Sequence, residues 1–194
     1  MRYFWLSILL IFSCRQQTTT DNDLVELKAK YFKNEFIKKF KVMTIPSVLP
    51  EGKQLDLESI PDTNPNSLDS LITGRWYLQC YGMFPDTSNF YTLFFYAPAA
   101  TMIPVIETYD KYGNKISGEG IDMGCWDGGP DDYDCEGSVT IDRDFNIRLS
   151  HTTTCYDCDS TSTKPTKYLD SREGRIDKMG LIKFSGERTN KKIE

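Results

Sequence analysis

The 194-residue chain has a single histidine, His151, and lacks the short motifs that mark several common enzyme classes. No G-x-S-x-G, glycine-rich phosphate loop or H-E-x-x-H occurs, and a Ser-His-Asp or Cys-His nucleophile system would have to use His151. The net charge is −5 and the main domain carries no basic stripe, so we expect no nucleic-acid partner. Because acidic residues abound, paired carboxylates leave an acid-based hydrolase as the enzymatic alternative.

The chain also lacks an apolar run long enough to cross a bilayer. The longest run, Tyr3 to Phe12, has about ten residues, whereas a membrane-spanning helix needs about 20. A run of this length behind the positive charge of Arg2 is typical of a secretory signal. We therefore predict a signal peptide over residues 1–13.

Cysteine follows this run directly, in the order Ile11-Phe12-Ser13-Cys14. The segment resembles the lipobox of bacterial lipoproteins. The resemblance implies cleavage before Cys14, diacylation of that residue and a lipidated tether over residues 14–22. It also implies an outer-membrane location, because Arg15 rather than aspartate follows the anchor.

Five cysteines remain after Cys14, and an exported protein meets an oxidising compartment where disulfides are the default. We expect this arrangement: Cys125 paired with Cys135, Cys155 paired with Cys158, and Cys80 buried and free. Other pairings, such as Cys80 with Cys155, stay open at this point.

The segment 23–41 has the spacing of an amphipathic helix. Phe32, Phe36 and Phe40 recur every four residues, Val25 falls on the same side, and Asp23 can cap the N-terminus. The helix could lie on an anionic membrane, but we expect it to pack its phenylalanines onto the following domain. Residues 42–67, rich in Pro, Asp, Asn and Ser, are predicted to form an extended linker.

Residues 68–188 alternate short strand-like runs with turns and are predicted to form a β domain, followed by a polar tail at 189–194. The run 90–97 is apolar on both faces, so it must be covered twice. Hairpin turns are expected at 112–114, 142–144 and 171–174. We therefore predict a mainly β fold, an antiparallel barrel or sandwich of seven to eight strands preceded by one helix.

Gly74-Arg75-Trp76, before the first long strand, resembles the G-x-W of lipocalin-like barrels. That resemblance implies that Lys183 or Arg188 stacks over Trp76. The alternative is that Trp76 anchors the core of another β fold.

The stretch CWDGGPDDYDCEG, residues 125–137, admits two readings. Its cysteines could close a loop, since Gly-Gly-Pro is a strong turn signal. Its carboxylates could also bind calcium, although the EF-hand resemblance fails because position 12 falls on Arg143. The candidate calcium ligands are Asp127, Asp131, Asp132, Asp134 and Glu136. Trp126 and Tyr133 in the same stretch are candidate binding residues.

His151, Cys155 and Cys158 have a spacing that could serve zinc or thiol chemistry. Exported thiols are usually bridged, so we expect His151 to be a hydrogen-bonded strand residue and the protein to hold no cofactor. The sequence thus predicts an anchored envelope lipoprotein whose β domain binds a protein or a small ligand, with the acid-based hydrolase as the alternative.

Overall fold

A computed structural model describes residues 21–49, 56–74, 76–99, 102–121, 133–156, 165–186 and 189–193. The fold is mainly β, with two sheets and one N-terminal helix. The strands are β1 (Lys41–Val42), β2 (Ser47–Leu49), β3 (Gln79–Met83), β4 (Tyr91–Ala97), β5 (Ile103–Tyr109), β6 (Lys115–Gly120), β7 (Tyr133–Ile141), β8 (Asn146–Cys155), β9 (Thr166–Ile176), β10 (Ile182–Phe184) and β11 (Thr189–Lys192). The helices are α1 (Asp21–Tyr31), a π-helical segment (Phe32–Phe36), 3₁₀ turns at Ile37–Lys39 and Leu57–Ser59, and α2 (Ser70–Thr73).

The first sheet has the strand order β1-β3-β4-β5-β6, and the second has the order β10-β9-β8-β7-β2 with β11 also paired to β9. The described strands form a sandwich and not a closed barrel, which confirms the sandwich alternative. They number eleven, more than the seven to eight predicted. The additional strands are β1, β2, β10 and β11, each of two to four residues.

The first sheet is the middle layer of three. Phe94 faces the core shared with the second sheet, whereas Leu93 and Phe95 face a second core under the N-terminal helix. All three side chains are fully buried. The prediction that this strand is covered on both faces is confirmed, and the N-terminal helix is the second cover.

The helix that covers this sheet changes its winding where it meets the sheet. α1 begins at Asp21, two residues before the predicted cap Asp23. It has no buried residue, and Val25, which was predicted to lie on the phenylalanine side, is 57% exposed. At 3.6 residues per turn, each four-residue step in an α-helix overshoots a full turn by about 40°. The π-helical turn at 32–36 has more residues per turn, so residues four apart stay closer to the same face. Phe32 and Phe36 are therefore both buried against the sheet.

The segment predicted as an extended linker contributes an edge strand to each sheet. β1 pairs in parallel with β3, and β2 pairs antiparallel with β7. The tail behaves similarly, because β11 pairs with β9.

Two of the predicted hairpin turns are found, between β5 and β6 and between β7 and β8. The third was placed wrongly, since β9 runs unbroken through 171–174 and the chain turns at Asp177–Leu181. The ring of Phe184 occupies the space beside Gly174 where a Cβ would lie. This glycine therefore serves a close approach inside a strand and not a turn.

Candidate functional site

The sandwich has two chemically different ends. The turn end comprises the three hairpin turns at 110–114, 142–146 and 177–181 with the loop 84–90. Thr108 Oγ1 donates to Gly180 O at 2.6 Å, which joins the two sheets here. The far end comprises the start of β7, the end of β8 and the residues before β3.

The three turns share one hydrogen-bond pattern, in which an aspartate side chain accepts two backbone N–H groups. Asp142 Oδ1 accepts the N–H of Asp144 at 2.9 Å and the N–H of Asn146 at 3.0 Å. Asp110 and Asp177 accept N–H groups two and four residues later in the same way. The hydrogen bonds to Asn146 and backbone amides keep the pKa of Asp142 below its usual value.

The fourth residue of each turn has positive φ, and here one turn differs. This residue is Gly113 (φ 80°) or Gly180 (φ 85°) in two turns, but Phe145 (φ 64°) in the other. A bulky side chain in this region is strained. Phe145 stacks on Phe84 with ring centroids 4.5 Å apart and lies 5.9 Å from Phe90.

The Phe145 ring lines a cleft of about 440 Å³ at the turn end, a volume within the range of ligand sites. Its other walls come from the loop before β4 and the end of β9. The remaining lining residues are Asp86, Ser88, Asn89, Phe90, Arg143, Asp144, Arg175, Ile176, Asp177 and Lys178.

A buried carboxylate, Asp69, holds the N-terminal helix on the sheet. It accepts hydrogen bonds from Tyr31 Oη (2.7 Å), Lys39 Nζ (2.6 Å) and the N–H of Asn64 (2.6 Å). Burial alone would raise the pKa of Asp69, but these bonds and the Lys39 charge outweigh it and lower the pKa. Burial and the bond to Asp69 raise the pKa of Tyr31 to about 12. The cluster has its bonds satisfied, so its role is structural.

The helix leaves the domain at the turn end. Phe32 packs against Gly113, and Lys28 Nζ donates to Asn114 Oδ1 at 3.0 Å. The described part of α1 therefore contacts the sandwich at its turn end.

Most residues of the predicted cysteine loop lie outside the described residues, namely Cys125, Trp126, Asp127, Asp131 and Asp132. Cys14, Cys158 and Arg188 lie outside them too. Tyr133 begins β7. Cys135 and Cys155 are described and neither is free, but the predicted pairings with Cys125 and Cys158 remain predictions. Cys80 is free and buried, and burial raises the pKa of its thiol to about 12, so it is a poor nucleophile.

Asp134 and Glu136 project from the same side of β7, and both are exposed. Asp134 accepts a hydrogen bond from Tyr156 Oη at 3.0 Å. In the part of the chain that the structure describes, no group of three His, Cys, Asp or Glu residues is placed to hold a metal.

His151 lies in β8 opposite Asp170 of β9, with Nε2 3.7 Å from Oδ2. It is a strand residue as expected, but its contact with Asp170 is an ion-pair distance and not a hydrogen bond.

Trp76 and Tyr77 are exposed at the far end, with exposed fractions of 72% and 54%. The alternative that Trp76 anchors the core of another β fold is therefore wrong. Thr63 fixes the backbone here, since its Oγ1 donates to Trp76 O and accepts the N–H of Leu78. Lys183, which the lipocalin resemblance would place over Trp76, pairs with Asp177 at 3.1 Å.

These two aromatic residues were missed because Arg75 to Tyr81 reads as one strand, whereas β3 begins only at Gln79. The available signal was Gly74, whose φ of 72° and ψ of −145° suit glycine alone.

Four carboxyl groups in the described ranges have displaced pKa values, and none of these four suits the role of a catalytic acid. Asp69, Asp86, Asp142 and Asp177 all have lowered pKa values. A catalytic acid needs the opposite shift.

The helices in the described ranges include none that is long and apolar enough to span a bilayer. No protein-family model, no curated protein and no solved structure matches the chain.

Proposed function

We propose that the protein is an envelope lipoprotein, anchored in the outer membrane through Cys14, whose β-sandwich binds a protein partner at its far end. The observation that carries the binding proposal is the exposed pair Trp76 and Tyr77. Tryptophan and tyrosine dominate the energetics of protein interfaces, and a fixed backbone lowers the entropy lost on binding.

The anchoring proposal is supported by the lipobox resemblance at Ile11 to Cys14 and by the course of α1. The helix leaves at the turn end, so an anchor at Cys14 tethers that end and leaves the far end directed away from the bilayer. Tyr133, the first residue of β7, is a further proposed member of the binding surface, as is Trp126, which lies outside the described residues.

Anchoring is tested by expressing Cys14→Ser beside Cys80→Ser as a matched cysteine control. We expect metabolic labelling with a fatty acid, and recovery in the outer-membrane fraction, for the native chain and for Cys80→Ser but not for Cys14→Ser. Equal labelling of both variants would exclude Cys14 as the anchor.

Partner binding is tested with a photo-crosslinking amino acid in place of Tyr77. The matched control carries it in place of Tyr112, which is 62% exposed at the turn end. We expect a discrete protein adduct from position 77 and none from position 112, with a lower yield in Trp76→Ala. The same adduct from both positions would contradict a far-end interface.

No metal or other cofactor belongs to this proposal. The rival is calcium on Asp127, Asp131, Asp132, Asp134 and Glu136, of which the last two are exposed on β7. Native mass spectrometry with and without chelator distinguishes bound calcium from disulfide bonds without metal. A metal adduct that the chelator removes would favour calcium, and a mass lower by two hydrogens per bridge that ignores the chelator would favour disulfides alone.

A further inference from the structure

The cleft at the turn end holds charges of both signs that do not neutralise each other. Arg143, Arg175 and Lys178 line it, and none of them forms a salt bridge within the described ranges. Asp86 and Asp144 line the same cleft and likewise lack a cation within salt-bridge distance there. Both signs of charge are therefore open to a ligand.

The third carboxylate of the cleft is already occupied. Asp177 accepts the N–H groups of Met179 and Leu181 and pairs with Lys183.

Asp86 accepts one N–H, from Ser88 at 2.9 Å, and Arg143 Nε donates to Ile45 O at 3.4 Å, but neither group has an ionic partner in the described ranges. The charges without an ionic partner there are thus the three cations and two carboxylates.

One wall of the cleft is apolar. Phe145 contributes its ring although its backbone has the positive φ that glycine adopts in the two sister turns. Phe90 and Ile176 complete this wall. An aromatic wall beside unpaired charges of both signs suits a ligand that carries both charges on a short apolar chain.

The position of the cleft indicates the source of such a ligand. From Cys14 to Asp21 the chain spans at most about 25 Å when fully extended, and the α1 turns before Lys28 add about 10 Å. An anchor at Cys14 therefore holds the turn end near the bilayer. Tyr112 and Met179, exposed at the tips of two turns, suit the interface beside it.

We propose that this cleft binds a zwitterionic phospholipid headgroup of the phosphoethanolamine type. The guanidinium groups of Arg143 and Arg175, with Lys178, take the phosphate, since guanidinium matches phosphate geometry. Asp86 and Asp144 take the ammonium group, and Phe145 contacts the carbon chain. The lipid source of the headgroup rests on the proposed anchoring through Cys14.

The chemistry of the cleft is tested with soluble phosphoethanolamine on the full chain in nonionic detergent. The readout is the labelling of Lys178 by an amine reagent, with exposed Lys192 on β11 as the internal control. Phosphoethanolamine carries a primary amine that also consumes the reagent, so the labelling of Lys178 is measured as its ratio to that of Lys192. At ten times the dissociation constant this ratio should fall about tenfold. Phosphate alone or ethanolamine alone should protect less.

The variant R143Q/R175Q should lose this protection. The control Arg148→Gln, an exposed arginine paired with Glu173 outside the cleft, should retain it. Both variants change exposed residues, and equal thermal unfolding checks that they fold. Unchanged labelling of Lys178, or full protection of R143Q/R175Q, would overturn the site.

The lipid source is tested on vesicles of phosphatidylethanolamine with phosphatidylglycerol against vesicles of phosphatidylglycerol alone. We expect flotation with both and protection of Lys178 only with the first. Flotation with equal labelling would overturn the lipid source. Failure to float would contradict the Cys14 anchor instead, while the soluble probe still decides whether the cleft binds its zwitterion.

Discussion

Phe145 has the positive φ that glycine has at the same position of the two other turns. Alanine is usually the more stabilising substitution, but at this position glycine should be the more stabilising of the two. Both Phe145→Ala and Phe145→Gly lose the contacts with Phe84 and Phe90. Only glycine also relieves the positive φ, which costs a side chain about 1 kcal/mol. Phe145→Gly should therefore unfold at higher urea than Phe145→Ala.

Asp144, next to Phe145 in the same turn, supplies the matched control. It has no positive φ, so Asp144→Ala should be at least as stable as Asp144→Gly. If alanine is also the better residue at position 145, the strain assigned to Phe145 is wrong.

Asp69 gives a pH dependence whose sign follows from its environment. Its pKa is lowered in the folded state, so its stabilising contribution is present above its unfolded pKa of about 3.9. That contribution is lost as the pH falls through the folded value. Asp69→Asn should lower the free energy of unfolding at pH 7 by about 2 kcal/mol, because Lys39 and Tyr31 lose a charged acceptor.

The difference between native protein and Asp69→Asn should shrink below about pH 4, because there the unfolded chain binds a proton at position 69 while the native carboxylate, with its lowered pKa, still resists protonation. Urea unfolding at pH 7, 4 and 2.5 measures it. Asp144→Asn, a change at an exposed residue, is the control and should stay within about 0.5 kcal/mol of the native protein. A gap for Asp69→Asn that widens in acid would contradict the assignment.

Among the elements, the π-helical segment should contribute far more stability than α1. Phe36→Ala removes a fully buried ring from the core under the helix, which should cost about 3–5 kcal/mol. Val25→Ala, in the exposed part of α1, should change stability by less than about 0.5 kcal/mol. Urea midpoints compare the two, and similar losses would show that the covering helix had been assigned to the wrong turns.

The elements that could be predicted from the sequence are those in which apolar residues recur at a regular spacing over several positions. The apolar residues on both faces of β4 pack into the two cores, as predicted. The phenylalanines spaced four apart, Phe32, Phe36 and Phe40, pack into the core under the helix. β1 and β2 were missed because two or three residues carry no alternation, and their pairing depends on partners distant in the chain.

The candidate sites were less predictable. The cleft draws its residues from three separate segments around positions 88, 144 and 176, so no local spacing indicates it. Two of the three Asp-based turns were predicted as turns, but the one that begins at Asp177 was not, and Phe145 stands in one turn where glycine marks the other two. Trp76 reads as a core residue because its exposure depends on where β3 begins.

At the scale of the whole molecule, the middle sheet depends on chain segments from both sides. Its outer face is covered by the phenylalanines of residues 32–40, and its inner face by the second sheet. Removal of residues 21–27 takes away no buried side chain of α1. Removal of residues 21–40 uncovers Leu93, Phe95 and Tyr109, all fully buried in the native fold.

In a Cys14→Ser parent, which has no lipid anchor in our proposal, we therefore expect the chain lacking residues 21–27 to stay soluble and to unfold at the same temperature as that parent. The chain lacking residues 21–40 should aggregate, because it exposes a wide apolar sheet face. Sedimentation after expression and circular dichroism melting compare the two deletions. A soluble, cooperatively folded product of the longer deletion would mean that the two-sheet sandwich is stable alone, and that the helix is an attachment and not a layer of the core.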